Sequence, residues 1–518
     1  MSIRVLSVIA VEHHLEIHHV DIKSAYLNSS LPRGTNIYVR PPPGVDIEPG
    51  KCWRLKKAVY GLKQAAFEWF IHISKKFEEM DINSCDGYEG VFIKKIGQDV
   101  IYIALYVDDL FIVSSSNQVF NEFLRALEGE FKLNYLGPVS EYLGVEFTRT
   151  DKGYKLSQRK FMNSILDAFE LHDGKAKSLP RPPMDSNRFQ AKAEREQDHL
   201  QVETQGRVLE GNDIKVYQRG VGMLQWLCLN TRPDIAFATN ALGIKASAPT
   251  EEDYKMLIHC IKYLKGTLDY GLQYISGNTK LYGEEFLLHG FADASYAPPD
   301  SRKSVSGFAI YLNGNLVSWG SKKQRCITQS SMSSEIQALG EATLRIFAVR
   351  DLLRSLGLSY RKPILLEDNM PAIKVAHNKR ISYSRRSIDI VMKYIRDLVL
   401  VHNKLGISYI STTHNIADIM TKAAGVDTFN RLRPALMSDG KLSELGEELM
   451  THFIGGNNPN IGFMKFCEVV NKEILICNRE SDNPRDEPVK IVGVVPSMTN
   501  SVPPSVKSAE PVKGKDIN

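Results

Sequence analysis

Two adjacent aspartates stand inside a strongly apolar stretch of the sequence. Asp108 and Asp109 are flanked by IYIALYV and LFIV, a composition that favours a buried strand hairpin with the acids at its tip. Asp21 follows another short strand-like run. Carboxylates at strand ends can hold the divalent cations used in two-metal nucleotidyl transfer. The alternative for Asp108 and Asp109 is an ordinary turn, although burying two unpaired carboxylates among apolar residues is costly.

Four further carboxylates are spread over the C-terminal half, where a hydrolytic two-metal site could use them. Asp293 lies within the strand-like segment FLLHGFADASY, and Asp368 follows a strand in LLEDN. Glu335 falls near the start of a helix-forming stretch, Ser334 to Leu356, with a nearby serine as its cap. Asp418 opens a short helix after the strand GISYI. Taken singly, Glu335 could instead be a helix-dipole charge and Asp368 part of a helix cap.

The surrounding pattern separates these two groups of acids into different blocks. Residues 1 to about 180 alternate short β-like runs with helical patterns, and residues 178–216 are rich in proline and polar residues, as in a linker. Helical spacing returns between Tyr217 and Gly271. A third block of alternating strands and helices runs from about Leu287 to Ala424. Past residue 480 the sequence has no aromatic residue and is rich in Pro, Ser and Lys, which predicts disorder.

The composition is that of a globular chain of several domains. Its 518 residues correspond to about three domains, with 43% hydrophobic and 24% charged residues. A net charge of +5 permits a nucleic-acid partner without requiring one. The seven cysteines include no C-x-x-C pair, which argues against a disulfide framework or a zinc cluster. The apolar run Ile3 to Val11 is interpreted as a buried helix, and Asp108 and Asp109 interrupt the other long apolar run, so we expect no membrane span.

Several longer strings carry a family resemblance. HHVDIKSAYLNSSLPRGTNIYVRPPPG, LKKAVYGLKQAAFEWF, LYVDDLFIVSSS, FKLNYLGPVSEYLGVEF, YQRGVGMLQWLCLNTRPDIAFATNAL and YLKGTLDYGL follow one another along the chain. In content and order they resemble the reverse transcriptase and ribonuclease H region of copia-type LTR retrotransposon Pol polyproteins. The resemblance runs from residue 1 to about 425, apart from the linker.

The resemblance implies roles in polymerisation for six residues. Asp21, Asp108 and Asp109 match the metal-binding catalytic aspartates, and Tyr106 is the aromatic residue of the Y-x-D-D motif. Tyr26 resembles the steric gate that excludes a ribose 2′-OH, and Gln64 resembles the glutamine that contacts the incoming nucleotide and the template. Without the family match, Tyr26 would be interpreted as a core aromatic and Gln64 as a surface amide.

The resemblance also implies a ribonuclease H site at Asp293, Glu335, Asp368 and Asp418, with two Mg²⁺ ions in each active site, or Mn²⁺ in their place. His414 lies where a histidine assists product release in some ribonucleases H. A basic segment between Asp368 and Asp418 is expected to track the phosphates of an RNA–DNA hybrid, with a solvated helix face as the alternative. Its basic residues are Lys379, Arg380, Arg385, Arg386, Lys393 and Arg396.

The implied fold is a mixed α+β arrangement: a reverse-transcriptase palm, a helical thumb and connection, an RNase H-like α/β domain and a disordered C-terminal tail. The expected boundaries are palm and partial fingers 1–177, linker 178–216, thumb and connection 217–280, RNase H-like domain 281–425, an unassigned stretch 426–480 and the tail 481–518.

The sequence departs from the family pattern in two places. Only 20 residues precede Asp21, so we expect the front of the polymerase domain to be absent, and QAAFEW stands where the family has QAPRxW. No protease or integrase motif is found, so those Pol modules are expected upstream or absent. A degenerate or domesticated element that binds nucleic acid without polymerase activity is the alternative function.

The expected partners are an RNA template, a DNA primer, the RNA–DNA hybrid and deoxynucleoside triphosphates, with no membrane. The expected location is a cytoplasmic virus-like particle or the nucleus.

Overall fold

The computed structural model describes most of the chain up to residue 437. The described residues are 1–45, 48, 50–172, 181–187, 189, 207–276, 285–298, 302–378 and 389–437. All of them belong to one compact unit, Met1–Val470. They form a mixed structure of helices and three main sheets, and strands and helices are each numbered here in chain order. The predicted tail 481–518 lies outside the described residues.

The first sheet has six strands in the order β4-β5-β6-β7-β1-β8. Alternation along β7 sends Leu110 and Ile112 to one face and Phe111 and Val113 to the other, as the two-residue period of a strand requires. The predicted hairpin between Val100 and Val113 is confirmed as β6 and β7. The strands are β1 (Glu16–Ile22), β4 (Asn83–Ser84), β5 (Val91–Ile96), β6 (Asp99–Tyr106), β7 (Asp109–Ser114) and β8 (Leu133–Pro138).

Helices cover both faces of this sheet. The core of one face includes Trp69 and Phe77 from α3 and Phe120 from α4. A serine side chain caps α4, where Ser116 accepts a hydrogen bond from the Val119 amide. The other face packs on α1, which confirms the buried helix predicted for Ile3 to Val11. These helices are α1 (Ser2–Glu12), α2 (Ala25–Asn28), α3 (Ala65–Glu79) and α4 (Asn117–Glu130), and a two-stranded ribbon, β2 (Tyr38–Val39) with β3 (Trp53–Arg54), follows α2.

A four-stranded antiparallel sheet joins segments from both sides of the predicted linker. Its order is β12-β11-β10-β9, and β12, which follows the helical region, pairs with β11, which precedes the linker. The helix expected to start at Tyr217 begins at Asn212, inside the predicted linker. The elements are β9 (Glu141–Tyr142), β10 (Val145–Thr150), β11 (Gly153–Ser157), α5 (Arg159–Ala168), α6 (Asn212–Asn230), α7 (Ala236–Ile244), α8 (Glu251–Lys265) and β12 (Leu272–Ile275).

The third sheet has five strands in the order β15-β14-β13-β16-β17, with β14 antiparallel and β16 parallel to the central β13. The predicted helix Ser334–Leu356 is confirmed as α9, and Ser330 caps it by accepting from the Ser333 amide. The elements are β13 (Leu288–Ser295), β14 (Val305–Leu312), β15 (Asn315–Lys323), α9 (Ser331–Ser355), β16 (Ile364–Glu367), α10 (Met370–His377), α11 (Asp389–Arg396), β17 (Gly406–Tyr409) and α12 (Val426–Leu436).

Helix α1 lies where the three sheets meet. Val5, Leu6 and Val8 are fully buried in the core that all three sheets share. The Arg4 guanidinium donates to the Val317 carbonyl on β15 at 2.8 Å and lies over the Trp319 ring, 4.2 Å from its centroid. The first ten residues therefore connect the two sheets that carry the acidic residues. Among the described residues, no helix combines the length and apolar character needed to cross a membrane.

Candidate active sites

The first group of acids lies at one end of the six-stranded sheet. Asp21 on β1 is paired in register with Asp109 on β7, and the Ile22 amide donates to the Asp108 carbonyl at 2.8 Å. Asp108 belongs to the tight turn between β6 and β7. The structure therefore brings together the three aspartates that the sequence predicted, two from a hairpin and one from the neighbouring strand.

An unusual backbone conformation holds the hairpin tip. Val107 has a φ of 58°, a region that β-branched residues rarely adopt and that costs about 1–3 kcal/mol. The indole of buried Trp69 on α3 donates to the Val107 carbonyl at 2.5 Å. This bond stabilises the turn that presents Asp108 and Asp109.

The three aspartates repel one another, and one histidine lies close to them. Burial, and then the charges of Asp108 and Asp109, raise the pKa of Asp21. His19, also on β1, has its Nε2 2.8 Å from the Asp109 Oδ1. Sequence reasoning missed His19, although its position two residues before Asp21 puts it on the same face of β1.

Aromatic side chains lie beside these aspartates. Tyr26, on α2, is half-buried and its ring lies 4.6 Å from the Tyr60 ring. Burial, followed by the charge of Asp108, raises the pKa of Tyr60, which marks Tyr60 as a further neighbour that sequence reasoning missed. Tyr106 is 60% exposed at the hairpin tip, and Gln64 is half-buried at the N-terminus of α3. The roles of Tyr26, Gln64 and Tyr106 stay predictions.

The second group lies on the five-stranded sheet and converges more tightly. Asp293 is on central strand β13, Glu335 on α9, and Asp368 directly follows β16. Each offers a ligand atom, and these atoms all lie within 4.8 Å of one another. Among the described residues this is the only trio of acidic, histidine or cysteine side chains within that limit.

Asp418 reaches the same site from a one-turn 3-10 helix, Ile416–Met420. This helix packs closely on β14, because a Cβ at Gly307 would lie 2.9 Å from the Ala417 carbonyl oxygen. Gly307 is the register partner of Asp293. The Asn415 side chain donates from Nδ2 to the Ala292 carbonyl at 2.8 Å and so attaches the helix to β13. The four predicted carboxylates therefore belong to one site.

The two residues that follow this helix, Thr421 and Lys422, contact the acids directly. The Thr421 hydroxyl donates to the Asp293 carboxylate, and the Lys422 ammonium forms an ion pair with Asp418. The sequence places both within four residues of Asp418, but nothing in their types indicated these contacts.

Burial dominates the electrostatics of the second group. It raises the pKa of Asp293 to about 7, and burial together with the charge of Asp293 raises the pKa of Glu335. Glu367, next to Asp368, is fully buried, and burial and the charge of Glu335 raise its pKa as well. No motif in the sequence indicated a role for Glu367.

This donor set fits a hard divalent cation. In the described structure, Glu335 Oε2 and Glu367 Oε2 are buried oxygens without a hydrogen-bond partner. Carboxylate oxygens are the ligands that Mg²⁺ prefers. Asp293, Glu335 and Asp368 could hold such an ion. Asp418 beside this trio and Asp21, Asp108 and Asp109 in the first group offer the same ligand type.

The predicted nucleic-acid contacts are only partly covered by the structure. Arg385 and Arg386 lie outside the described residues, as do Lys379 and Arg380. Arg396 is only 8% exposed, so the prediction that it tracks phosphates at the surface is wrong; its helix turns this side chain into the core. His414 is exposed with its Nδ1 2.7 Å from the Ser411 Oγ, and its role stays a prediction.

Comparisons with known proteins identify a matching family and several relatives. Residues 1–183 match the family described as reverse transcriptase (RNA-dependent DNA polymerase). The chain is 28% identical over 425 residues to the retrovirus-related Pol polyprotein from transposon RE1 of Arabidopsis thaliana, covering 81% of this chain and 27% of that protein. An uncharacterized mitochondrial protein of the same plant is 34% identical over 240 residues, covering 46% of this chain and 90% of that protein.

The chain therefore belongs to the reverse transcriptase family of copia-type transposon Pol polyproteins. It spans about a quarter (27%) of the length of the RE1 polyprotein. A solved foamy viral protease–reverse transcriptase in complex with an RNA/DNA hybrid aligns with a TM-score of 0.45 and 12% identity, covering 80% of this chain and 46% of that one.

Proposed function

We propose that the chain combines RNA-directed DNA polymerase and ribonuclease H activities in two separate active sites. The observation that carries this proposal is the presence of two separate clusters of acidic residues, one on each of two different sheets. Asp21, Asp108 and Asp109 serve polymerisation. Asp293, Glu335, Asp368 and Asp418 serve hydrolysis of the RNA strand.

When bound, a pair of divalent cations supplies an activated attacking oxygen and stabilises the leaving oxygen in both reactions. Mg²⁺ is the proposed ion, with Mn²⁺ as the alternative. In the polymerase site, the strained turn at Val107 holds Asp108 and Asp109 opposite Asp21. In the ribonuclease site, the packing of the 416–420 helix against Gly307 brings Asp418 to Asp293.

The proposed substrates follow from the family resemblance and from the aromatic side chains beside the first site. Tyr26, with Tyr60 against its ring, packs on the sugar of an incoming deoxynucleoside triphosphate and excludes a 2′-hydroxyl. Gln64 and Tyr106 contact the nucleotide and the template–primer. An RNA–DNA hybrid binds the ribonuclease site, with Arg385 and Arg386 on its phosphates.

We propose the corresponding architecture of a palm in 1–177, a thumb and connection in 217–280 and an RNase H-like domain in 281–425. We place the protein in a cytoplasmic virus-like particle or the nucleus, together with the other Pol modules.

The test is a gel assay on an RNA template annealed to a DNA primer, each strand with its own label, in Mg²⁺ and in EDTA. The Asp108→Asn variant should lose primer extension and keep RNA cleavage. The Asp293→Asn variant should lose RNA cleavage and keep extension. We expect each loss to be at least about a thousandfold, because removing a metal ligand costs several kcal/mol of transition-state stabilisation.

Three other outcomes would change the proposal. Cleavage without extension in the unmodified chain would leave only the ribonuclease function. Extension without cleavage would leave only the polymerase. Binding of the hybrid with neither reaction would support a nucleic-acid-binding remnant.

A further inference from the structure

Thr421 and Lys422 each contact a different carboxylate of the second group. Thr421 Oγ1 donates to Asp293 Oδ2, and Lys422 Nζ forms an ion pair with Asp418 Oδ1. The Asp418 side chain is only 4% exposed, whereas the Lys422 side chain is 49% exposed. A long side chain on the solvent side therefore reaches in to a carboxylate that is almost fully buried.

The surrounding charge strengthens this contact. Besides Asp418, the Lys422 ammonium faces the negative charges of Asp293 and Asp368. Arg431 also acts on Asp418, though less strongly than Lys422. The Lys422 ammonium is thus the main positive charge on the Asp418 side of the site.

A divalent cation would bind the same carboxylates. Asp418 Oδ1 lies within ion-pair distance of the ammonium, and Asp293 Oδ2 accepts from Thr421. Among the described residues, neither Glu335 Oε2 nor Asp418 Oδ1 has a hydrogen-bond partner. We propose that Lys422 is a tethered counter-ion that competes with a divalent cation for the Asp418 carboxylate. This inference rests on the proposed ribonuclease metal site.

A lysine that competes with the cation and a residue that only positions Asp418 predict opposite effects on cation binding. Because half of the Lys422 side chain faces solvent, the ammonium can leave Asp418 without disturbing the core. Cation binding at the Asp418 side then requires displacement of the lysine, so this side binds a divalent cation more weakly than the carboxylates alone would. Removing the lysine should strengthen cation binding, whereas removing a supporting residue should weaken it.

The experiment measures Mn²⁺ binding by the electron paramagnetic resonance signal of the free ion. The full chain carries Asp108→Asn and Asp109→Asn, so that ions at the polymerase aspartates do not contribute. Lys422→Met is compared with Lys404→Met, a matched change at an exposed lysine in the loop before β17. We expect about fivefold tighter Mn²⁺ binding in Lys422→Met and no change in Lys404→Met, since a partly exposed ion pair of this kind is worth up to about a factor of five.

Weaker or unchanged Mn²⁺ binding in Lys422→Met would overturn the competition. If the parent chain binds no Mn²⁺, or binds it equally well after Asp293→Asn, the metal site itself fails. The tether to Asp418 is then judged by thermal unfolding in EDTA. A lower unfolding temperature for Lys422→Met than for Lys404→Met supports the ion pair, and equal temperatures overturn it.

Discussion

Both acidic sites are built from carboxylate side chains, but the surroundings of these carboxylates differ. Asp108 and Asp109 at a hairpin tip and Asp21 on the neighbouring strand are half-buried, whereas Asp293 is 6% exposed on a central strand. The first site depends on a strained turn, with Val107 at a φ of 58°. The second depends on close packing between β14 and the 416–420 helix.

The difference affects how each site tolerates the absence of a cation. At the hairpin tip, solvent and His19 offset part of the repulsion between the aspartates. In the buried site, protons, Thr421 and Lys422 must do so. We infer that the second site couples the stability of the fold to pH and metal more strongly than the first.

The largest expected effect is on the pH dependence of stability without metal. In the folded protein the pKa of Asp293 is raised from 3.8 to about 7. Proton binding to Asp293 therefore stabilises the folded state; this stabilisation is fully present below the unfolded pKa and is lost as pH rises through the folded pKa. In EDTA, urea unfolding should show that Asp293 lowers the free energy of unfolding by about 1 kcal/mol for each unit that the pH rises between pH 5 and 7.

Asp293→Asn should reduce the slope by about this amount and leave the part that the buried Glu335 and Glu367 contribute, whereas Asp108→Asn should leave the whole slope in place. Mg²⁺ at pH 8 should restore stability in the unmodified chain. An equal slope in the two variants would mean that the two sites do not differ in the way their burial suggests.

An intermediate effect is expected from the neighbours that hold a carboxylate. His19→Ala removes the ring nitrogen 2.8 Å from Asp109 Oδ1, and Thr421→Val removes the hydroxyl on Asp293 while keeping its shape. Each should reduce the kcat of its own reaction about tenfold, as loss of a group that orients a metal ligand does. Steady-state primer extension and RNA cleavage measure the two. Matching losses of both activities in either variant would indicate general destabilisation instead.

The smallest effect is expected at Tyr106, which is 60% exposed. Tyr106→Ala should change the free energy of unfolding by no more than about 0.5 kcal/mol, because little of the side chain is buried. Loss of stacking on the template–primer should lower its affinity about fivefold. Fluorescence anisotropy with a labelled template–primer checks this. A large loss of stability with no change in affinity would make Tyr106 a structural residue of the hairpin.

Much of the fold could be predicted because local patterns specify local elements. The apolar run 100–113, with two aspartates in its middle, became the hairpin β6–β7, and the stretch 334–356 became α9. The limits of the elements were less predictable. Helix α6 begins at Asn212, inside a segment whose composition indicated a linker, and buried Met184 shows that this segment also contributes to the core.

The sequence by itself determined which carboxylates are available and on which elements they lie, because strand and helix periodicity are local properties. Only the tertiary structure decided what each carboxylate meets. Asn415 binds a carbonyl on β13, Thr421 reaches Asp293, and Glu367 is enclosed behind Asp368. The first two contacts join residues that are distant in the chain, whereas Glu367 and Asp368 are neighbours in the chain with different exposure. Their free energy depends on burial and on distances of a few ångströms, which no residue type specifies alone.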